Sequence, residues 1–169
     1  MLPKVTQEID DNYSIEKQHL STLNRRAIRG AMALKITLKP KERVILGQAV
    51  ITNGPGKCEF IVENNVPILR QTDILSPEKA DTPARRIYLA IQLMYVDEAR
   101  IAIHQKLYWQ LIREFVGAAP SSVYLIDQIN DLIIKEKYYQ ALKSAQRLID
   151  FEQEVIERVT KCCEILPVD

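Results

Sequence analysis

The chain has 169 residues, which suits one domain or two small ones with a shared core. Its 23 Lys/Arg and 22 Asp/Glu leave a net charge of +1, too little to argue by itself for a nucleic acid or a membrane as partner. The three cysteines have neither CxxC nor zinc-finger spacing, which indicates a reducing, cytosolic compartment. No segment has the character of a signal peptide or a transmembrane helix.

Residues 1–31 show no strong apolar periodicity, and we expect them to be a poorly ordered extension. They end in the arginine-rich segment Asn24–Gly30. Such a segment is either an RNA-binding arm or, as charge of this kind more commonly is, a solvated tail. Because Met32 opens a clean strand pattern, we predict three regions: the extension, a β module over 32–76 and a helical region over 77–169.

Apolar and polar residues alternate with a period of two from Ala33 to Ile74, interrupted by short turns. This pattern predicts about five short antiparallel strands in a small barrel or sheet. The segment Asn53–Gly56, with the sequence Asn-Gly-Pro-Gly, is typical of a hairpin turn between two of them. Since so small a sheet buries little and exposes its edges, we expect a homodimer through the β module.

A run that is apolar on nearly every side, from Ile87 to Val96, predicts the buried central helix of the core. Thr82 can cap this helix and Pro83 fits its first position. Arg85 and Arg86 are unexpected there, because positive charge is disfavoured at a helix N-terminus. Either they pair with acidic side chains elsewhere in the fold, or they form an anion site.

Three further helices are predicted, over roughly Glu98–Val116, after a cap at Ser121, and from Tyr138 past Val159. The fold class is therefore α+β, a small five-stranded antiparallel barrel or sheet followed by a bundle of about four helices. The first of the three has the apolar stripe His104, Leu107, Tyr108, Leu111, Ile112 and Phe115. His104 on that stripe indicates a satisfied core histidine rather than a catalyst. Beyond Phe151 the last helix outruns the bundle, where a helix of a partner protein is the alternative to plain packing.

The sequence lacks the motifs of common enzyme classes. There is no P-loop, GxGxxG, GxSxG or HExxH motif. The pair Cys162–Cys163 has no histidine nearby in sequence, so nucleophilic catalysis is not indicated. We expect no catalytic residues, no metal and no cofactor, and interpret the chain as a regulatory or adaptor protein.

Uncommon segments in a fixed order from Met32 onward resemble the FlbT family, post-transcriptional regulators of flagellar biosynthesis in alphaproteobacteria. The resemblance rests on Met32–Pro40, Glu42–Gly54, Val66–Leu75, Ala80–Tyr88, Gln92, Met94-Tyr95, Ala119-Pro120 and Ala141–Lys143. It implies a protein that associates with the 5′ untranslated region of flagellin mRNA and controls its translation and decay, usually as a repressor. For some relatives the implied effect on flagellin expression is positive instead. The family supplies no agreed set of RNA-contacting residues.

Residues 32–74 also look faintly like the five-stranded RNA-binding regulator CsrA, through Glu42, Val44–Leu46, Gly47 and Val66–Arg70. That resemblance implies two chains that interleave their strands, with RNA contacts from the first strand and from an arginine that ends the last one. Arg70 stands at that arginine and is placed beside the first strand. The first strand departs from the CsrA pattern, because Leu38 stands where that pattern has a key basic residue. Lys39 is the next residue.

Two hypotheses follow from the sequence. The first is an RNA-binding regulator whose partner is the flagellin mRNA 5′ leader. Its candidate contacts are Lys35, Lys39, Lys41, Arg43, Arg70, Arg85 and Arg86. Of these, Lys35, Lys39 and Arg70 are expected to form one basic strip. The second is an adaptor that binds a protein through the helical half, which the scarcity of aromatics favours, since Phe60 is the only one in the strand region.

Overall fold

The computed structural model describes residues 33–165. Its strands are β1 (Leu34–Leu38), β2 (Arg43–Leu46), β3 (Ala49–Thr52), β4 (Cys58–Val62) and β5 (Ile68–Arg70). Its α-helices are α1 (Pro83–Val96), α2 (Ile101–Ala118), α3 (Val123–Ile134) and α4 (Tyr138–Ile165). This order of strands and then helices confirms the predicted α+β class. The expectations for residues 1–31 and for a domain start at Met32 lie outside the described residues.

The five strands form two small open sheets, so the sheet alternative is confirmed and no closed barrel is present among residues 33–165. β1 pairs antiparallel with β4, from Leu34 opposite Val62 to Leu38 opposite Cys58. The second sheet has the order β3-β2-β5, with Val44 of β2 opposite Arg70 of β5. Alternation explains the first sheet, because Ile36 and Leu38 are buried on one face while Lys35 points to the other.

The expected hairpin at Asn53–Gly56 is wrong, because β3 and β4 belong to different sheets. The Asn53 side chain explains the difference. Its Nδ2 donates to the carbonyl oxygens of Lys39 at 2.7 Å and Gly56 at 2.8 Å. Gly54 and Gly56 have no positive φ, the conformation on which the hairpin signal depends. The segment is thus a connection held by an amide side chain and not a two-strand turn.

By packing, the chain divides into two compact units, described here separately. The first includes the described residues up to Glu42 together with Thr52–Val66, and so contains β1 and β4. The second includes Arg43–Ile51 and the chain from Pro67 onward. The main apolar core lies in this second unit. It is built from α1–α4 with one residue each from β2 and β5, namely Ile45 and Leu69.

The central helix α1 lies in this core as the sequence predicts. Ala84, Ile87, Ala90 and Ile91 are fully buried, and α1 packs on both α2 and α4. The Thr82 side chain accepts the N–H of Arg85, and Pro83 occupies the first turn. The expected cap and the expected burial are therefore both confirmed.

The later helices match their expected stripes with three corrections. α2 begins at Ile101 after the 3-10 turn Glu98–Arg100. Leu107 is 42% exposed and does not belong to the buried stripe. The side chain of Ser121 caps nothing, and Ser122 Oγ donates to Ala119 O at 2.6 Å in the turn before α3. Within the described residues no helix is long and apolar enough to cross a membrane.

His104 is the satisfied core histidine that its position predicts. It is 8% exposed, and its Nε2 lies 3.1 Å from Oδ2 of Asp97, the residue that follows α1 and caps its C-terminus. Asp97 Oδ2 also accepts from Arg100 Nε at 2.6 Å. The hydrogen bond with His104 and then the one with Arg100 hold the pKa of Asp97 below its usual value. This cluster therefore joins the end of α1 to the start of α2.

Candidate nucleic-acid interface

The seven candidate cations are distributed over both compact units. Lys35, Lys39 and Lys41 belong to the first unit, and the four arginines belong to the second. The expected placement of β5 beside β1 is not found in this chain, because β5 pairs with β2 and β1 pairs with β4. Arg70 is therefore not on the ladder that carries Lys35 within one chain, and the basic strip of Lys35, Lys39 and Arg70 stays a prediction. The physical cause is the hydrogen-bonded register that places Arg70 opposite Val44.

Lys35 lies on the outward face of β1 and is already paired. Its Nζ is 2.9 Å from Glu59 Oε2, and Thr37 Oγ1 donates to the other carboxylate oxygen at 3.2 Å. The Lys35 contact and then that of Thr37 lower the pKa of Glu59. An exposed pair of this kind is weak, so a phosphate can compete for the lysine. Lys35 is thus a candidate whose charge is locally balanced.

Lys39 and Lys41 lie on a turn whose backbone is held in place by hydrogen bonds. The N–H of Lys39 donates to Glu42 Oε2 at 2.7 Å, and the N–H of Lys41 donates to Gly54 O at 3.0 Å. Lys41 has a φ of 60°, a left-handed conformation that is uncommon for a residue with a side chain. Both lysines are exposed, and neither forms an ion pair within residues 33–165. This lysine turn, residues 39–42, thus presents two exposed cations on a backbone held by hydrogen bonds.

Arg43 and Arg70 lie at the same end of the β2–β5 ladder, since Arg43 begins β2 and Arg70 ends β5. The backbone N–H of Arg43 donates to Gln71 Oε1 at 2.8 Å, which ties the two strand ends together. Arg43 adjoins Val44, the residue opposite Arg70, so the two side chains project to opposite faces of the sheet. Both arginines are exposed at this sheet end.

The two arginines of α1 have different surroundings. Arg85 Nη1 donates to Asp81 Oδ1 at 2.7 Å, and this contact is the largest cause that lowers the pKa of Asp81. Arg86 is exposed, and its Nε donates to Ala80 O at 3.4 Å. A carboxylate from α4 also reaches this helix N-terminus, since the N–H of Ala84 donates to Glu152 Oε1 at 3.0 Å. The acidic-partner explanation therefore fits Arg85, and Glu152 occupies the place where an external anion would bind.

Sequence reasoning missed three residues that shape these sites. Asn53 supports the lysine turn, Glu152 satisfies the start of α1, and Asp73 binds Lys143 Nζ of α4 at 2.5 Å. Only Glu152 had a usable signal, as an acid inside an apolar seam. The described residues contain no group of three or more His, Cys, Asp or Glu that could hold a metal ion.

The fold and these surfaces first define a class: an α+β protein with two small sheets, a four-helix region and exposed cations on turns and strand ends. The chain belongs to the FlbT family, since the family model described as flagellar protein FlbT matches residues 34–156. It is 46% identical over 125 residues to a probable flagellum biosynthesis repressor protein FlbT 1 of Bradyrhizobium diazoefficiens, covering 73% of this chain and 85% of that one.

Two other relatives extend this result. A probable flagellum biosynthesis repressor protein FlbT of Rhodopseudomonas palustris is 40% identical over 127 residues, covering 75% of this chain and 100% of the relative. The flagellum biosynthesis repressor protein FlbT of Caulobacter vibrioides is 34% identical over 131 residues, covering 76% and 93%. No solved structure matches the chain. The family resemblance inferred from the sequence is thus confirmed.

Proposed function

We propose that this chain is a regulator of flagellum biogenesis. It acts as a post-transcriptional repressor that associates with the 5′ untranslated region of flagellin mRNA and controls translation and degradation of that mRNA in the cytoplasm. The observation that carries the proposal is membership of the FlbT family across residues 34–156, with relatives that are named repressors of flagellum biosynthesis.

The lysine turn supports direct RNA binding as the means. Lys39 and Lys41 project from a backbone that Glu42, Asn53 and Gly54 hold in place, so little ordering is needed when a phosphate binds. Neutralisation of phosphate charges supplies most of the affinity in such an interface, so binding weakens as the salt concentration rises. Arg70 is the candidate for a base-edge contact, because a guanidinium can donate two parallel hydrogen bonds.

The test is titration of the purified full chain with the flagellin leader RNA at several salt concentrations, read by electrophoretic mobility. We expect Arg70→Ala to weaken binding by about 1–3 kcal/mol. Lys39→Ala should reduce the slope of log affinity against log salt concentration by about 1, the change for one lost phosphate contact. The sequence preference should change little. Lys106→Ala, which removes an exposed cation of α2, is the matched control and should change neither quantity.

Each variant must first melt at the wild-type temperature, so that a lost contact is distinguished from a lost fold. If Lys39→Ala and Arg70→Ala bind as the wild type does, these residues are not the interface. If the purified wild type binds no leader RNA at any salt concentration, direct binding is refuted.

The alternative function is a protein adaptor that acts through the helical half. The feature that favours it is the C-terminal part of α4, where Ile156 and Val159 are exposed apolar residues. A chain that binds no leader RNA but changes flagellin mRNA levels in cells through a bound protein would support the adaptor. The homodimer through the β module stays a prediction, and light scattering across a dilution series tests it.

A further inference from the structure

Side chains of α1 hold both ends of residues 68–75, which comprise β5 and the turn after it and are here called the clamped segment. Gln92 is 5% exposed, and its amide pairs with both backbone groups of Leu75. Its Oε1 accepts the N–H at 2.7 Å, and its Nε2 donates to the carbonyl oxygen at 3.0 Å. At the other end, Tyr95 Oη accepts the N–H of Ile68 at 3.1 Å. The backbone of this segment is thus fixed to one helix.

The middle of the clamped segment is held at Asp73. Tyr88 Oη of α1 donates to its carbonyl oxygen at 2.8 Å, and Lys143 Nζ of α4 lies 2.5 Å from its Oδ1. Asp73 is the one acid in the sequence of the segment, so this ion pair balances the negative charge there. A backbone held in this way needs little further ordering when a ligand binds to its exposed side chains.

Gln71 is an exposed side chain of the clamped segment with a defined orientation. Its Oε1 accepts the backbone N–H of Arg43 at 2.8 Å. A backbone N–H requires an acceptor, so the amide oxygen faces β2 and the amide nitrogen lies on the other side. This Nε2 donates to no group within residues 33–165. Gln71 therefore presents a hydrogen-bond donor at the surface, next to Arg70.

We propose that Gln71 contacts a base of single-stranded RNA and selects its identity, beside the base that Arg70 contacts. The inference rests on the proposed RNA binding and adds a specificity-determining residue to it. Consecutive Cα atoms are about 3.8 Å apart, so the two side chains can contact neighbouring nucleotides. The Nε2 of Gln71 donates to a keto oxygen, which guanine has at O6 and uracil at O4. Adenine and cytosine carry an amino group at the corresponding position, and a donor opposes a donor there.

The charges around Gln71 favour a nucleic acid over a protein as the ligand. A peptide carbonyl could also accept from the amide. However, the exposed side chains of Arg43 and Arg70 lie at the same end of the ladder, and the one acid of the clamped segment is already paired. Cations beside a base contact are what a phosphate backbone requires.

The test selects RNAs from a pool of short single-stranded RNAs of random sequence with the purified full chain, and sequences the bound fraction. The wild type should enrich guanine or uracil at one position. Gln71→Glu keeps an oxygen for the Arg43 N–H and replaces the donor by a second acceptor. The preference at that position should be lost or move to adenine or cytosine. Affinity for RNAs with the preferred keto base should fall by about threefold to tenfold, the range for one hydrogen bond.

Gln48→Glu is the charge-matched control. Gln48 is exposed in the turn after β2, at the end of the β2–β5 ladder opposite Arg43. The control adds the same negative charge to the same unit and should leave the base preference unchanged. Repulsion from an added charge weakens binding of all sequences alike and fades as the salt concentration rises. Both variants must melt at the wild-type temperature.

Three results would overturn the inference. If Gln71→Glu selects the same bases as the wild type, Gln71 selects none, and the proposed RNA binding stands without it. If Gln48→Glu shifts the preference equally, the effect is one of charge. If the wild type binds no RNA, direct binding and the role of Gln71 both fail. Loss of a bound protein in Gln71→Glu would then assign the clamped segment to a protein partner.

Discussion

The start of α1 shows how single residues compensate an unfavourable charge pattern. Arg85 is neutralised by Asp81, four residues before it, and the helix N-terminus receives the carboxylate of Glu152 from α4. Ala84 is fully buried, so its N–H needs a partner inside the protein. Glu152 supplies that partner and places negative charge at the positive end of the helix dipole.

Replacing Glu152 by alanine should therefore destabilise the protein. Loss of this cap leaves a buried donor unsatisfied, which costs about 0.5–2 kcal/mol in the free energy of unfolding. Urea denaturation monitored by circular dichroism measures the change. Glu154→Ala is the matched control. Glu154 forms only an exposed pair with Arg158 of the same helix, so its removal should cost less than about 0.5 kcal/mol. Equal costs for the two variants would contradict the capping role.

At the scale of elements, the turn between α3 and α4 is closed by an unusual residue. Glu136 has a φ of 56°, a conformation that usually belongs to glycine at the end of a helix. Its N–H donates to Ile133 O at 2.9 Å, and the N–H of Lys137 donates to Leu132 O at 2.8 Å. These two bonds are the Schellman pattern, which holds the turn although the side chain of Glu136 strains it.

Glu136→Gly should for this reason stabilise the protein by about 0.5–1 kcal/mol, because glycine adopts the left-handed conformation without the steric cost of a Cβ. The measurement is again the free energy of unfolding in urea. Lys135, the residue before it, has a φ of −85° and provides the control. Lys135→Gly should lower stability, since there glycine only adds freedom to the unfolded chain. A loss of stability in Glu136→Gly would show that the side chain makes a stabilising contact.

The strands show where element-level reasoning succeeded and where it did not. Alternation along the sequence located strands within β1 and β4 and identified the buried side of β1, with Ile36 and Leu38 inward. It could not identify partners, because every pleated strand presents the same backbone groups for pairing. The Asn53–Gly56 signal failed for a local reason, since the amide of Asn53 donates to the carbonyl oxygens of Lys39 and Gly56 and holds the segment as a connection between β3 and β4.

For the whole molecule, the prediction concerns the extension of residues 1–31. A chain that begins at Met32 should unfold with the same free energy as the full chain, within about 0.5 kcal/mol. The reason is the missing apolar periodicity of the extension, which offers little surface to bury. Parallel urea denaturation of the two chains measures the difference. A less cooperative transition in the shorter chain would show that the extension contributes to the fold.

The sequence alone determined the class of the fold, its central helix and its family. These depend on local information: the apolar run of α1 with Thr82 and Pro83 before it, the periodicity of the later helices, and segments whose order matches FlbT. The candidate cations could also be named from the sequence. Their grouping could not, since Lys35 and Arg70 are on different ladders.

Only the tertiary structure decided which distant residues meet. Glu152 contacts Ala84, which is 68 residues away in the sequence. Strand β2 lies between β3, its neighbour along the chain, and the distant strand β5. Such contacts depend on the packing of whole elements, and helical or strand periodicity carries information over only a few residues. The second half of α4 is another example, because Val155 and Val159 continue the apolar spacing of the buried Leu148 although Val159 is 58% exposed. Its exposure follows from where the neighbouring helices end.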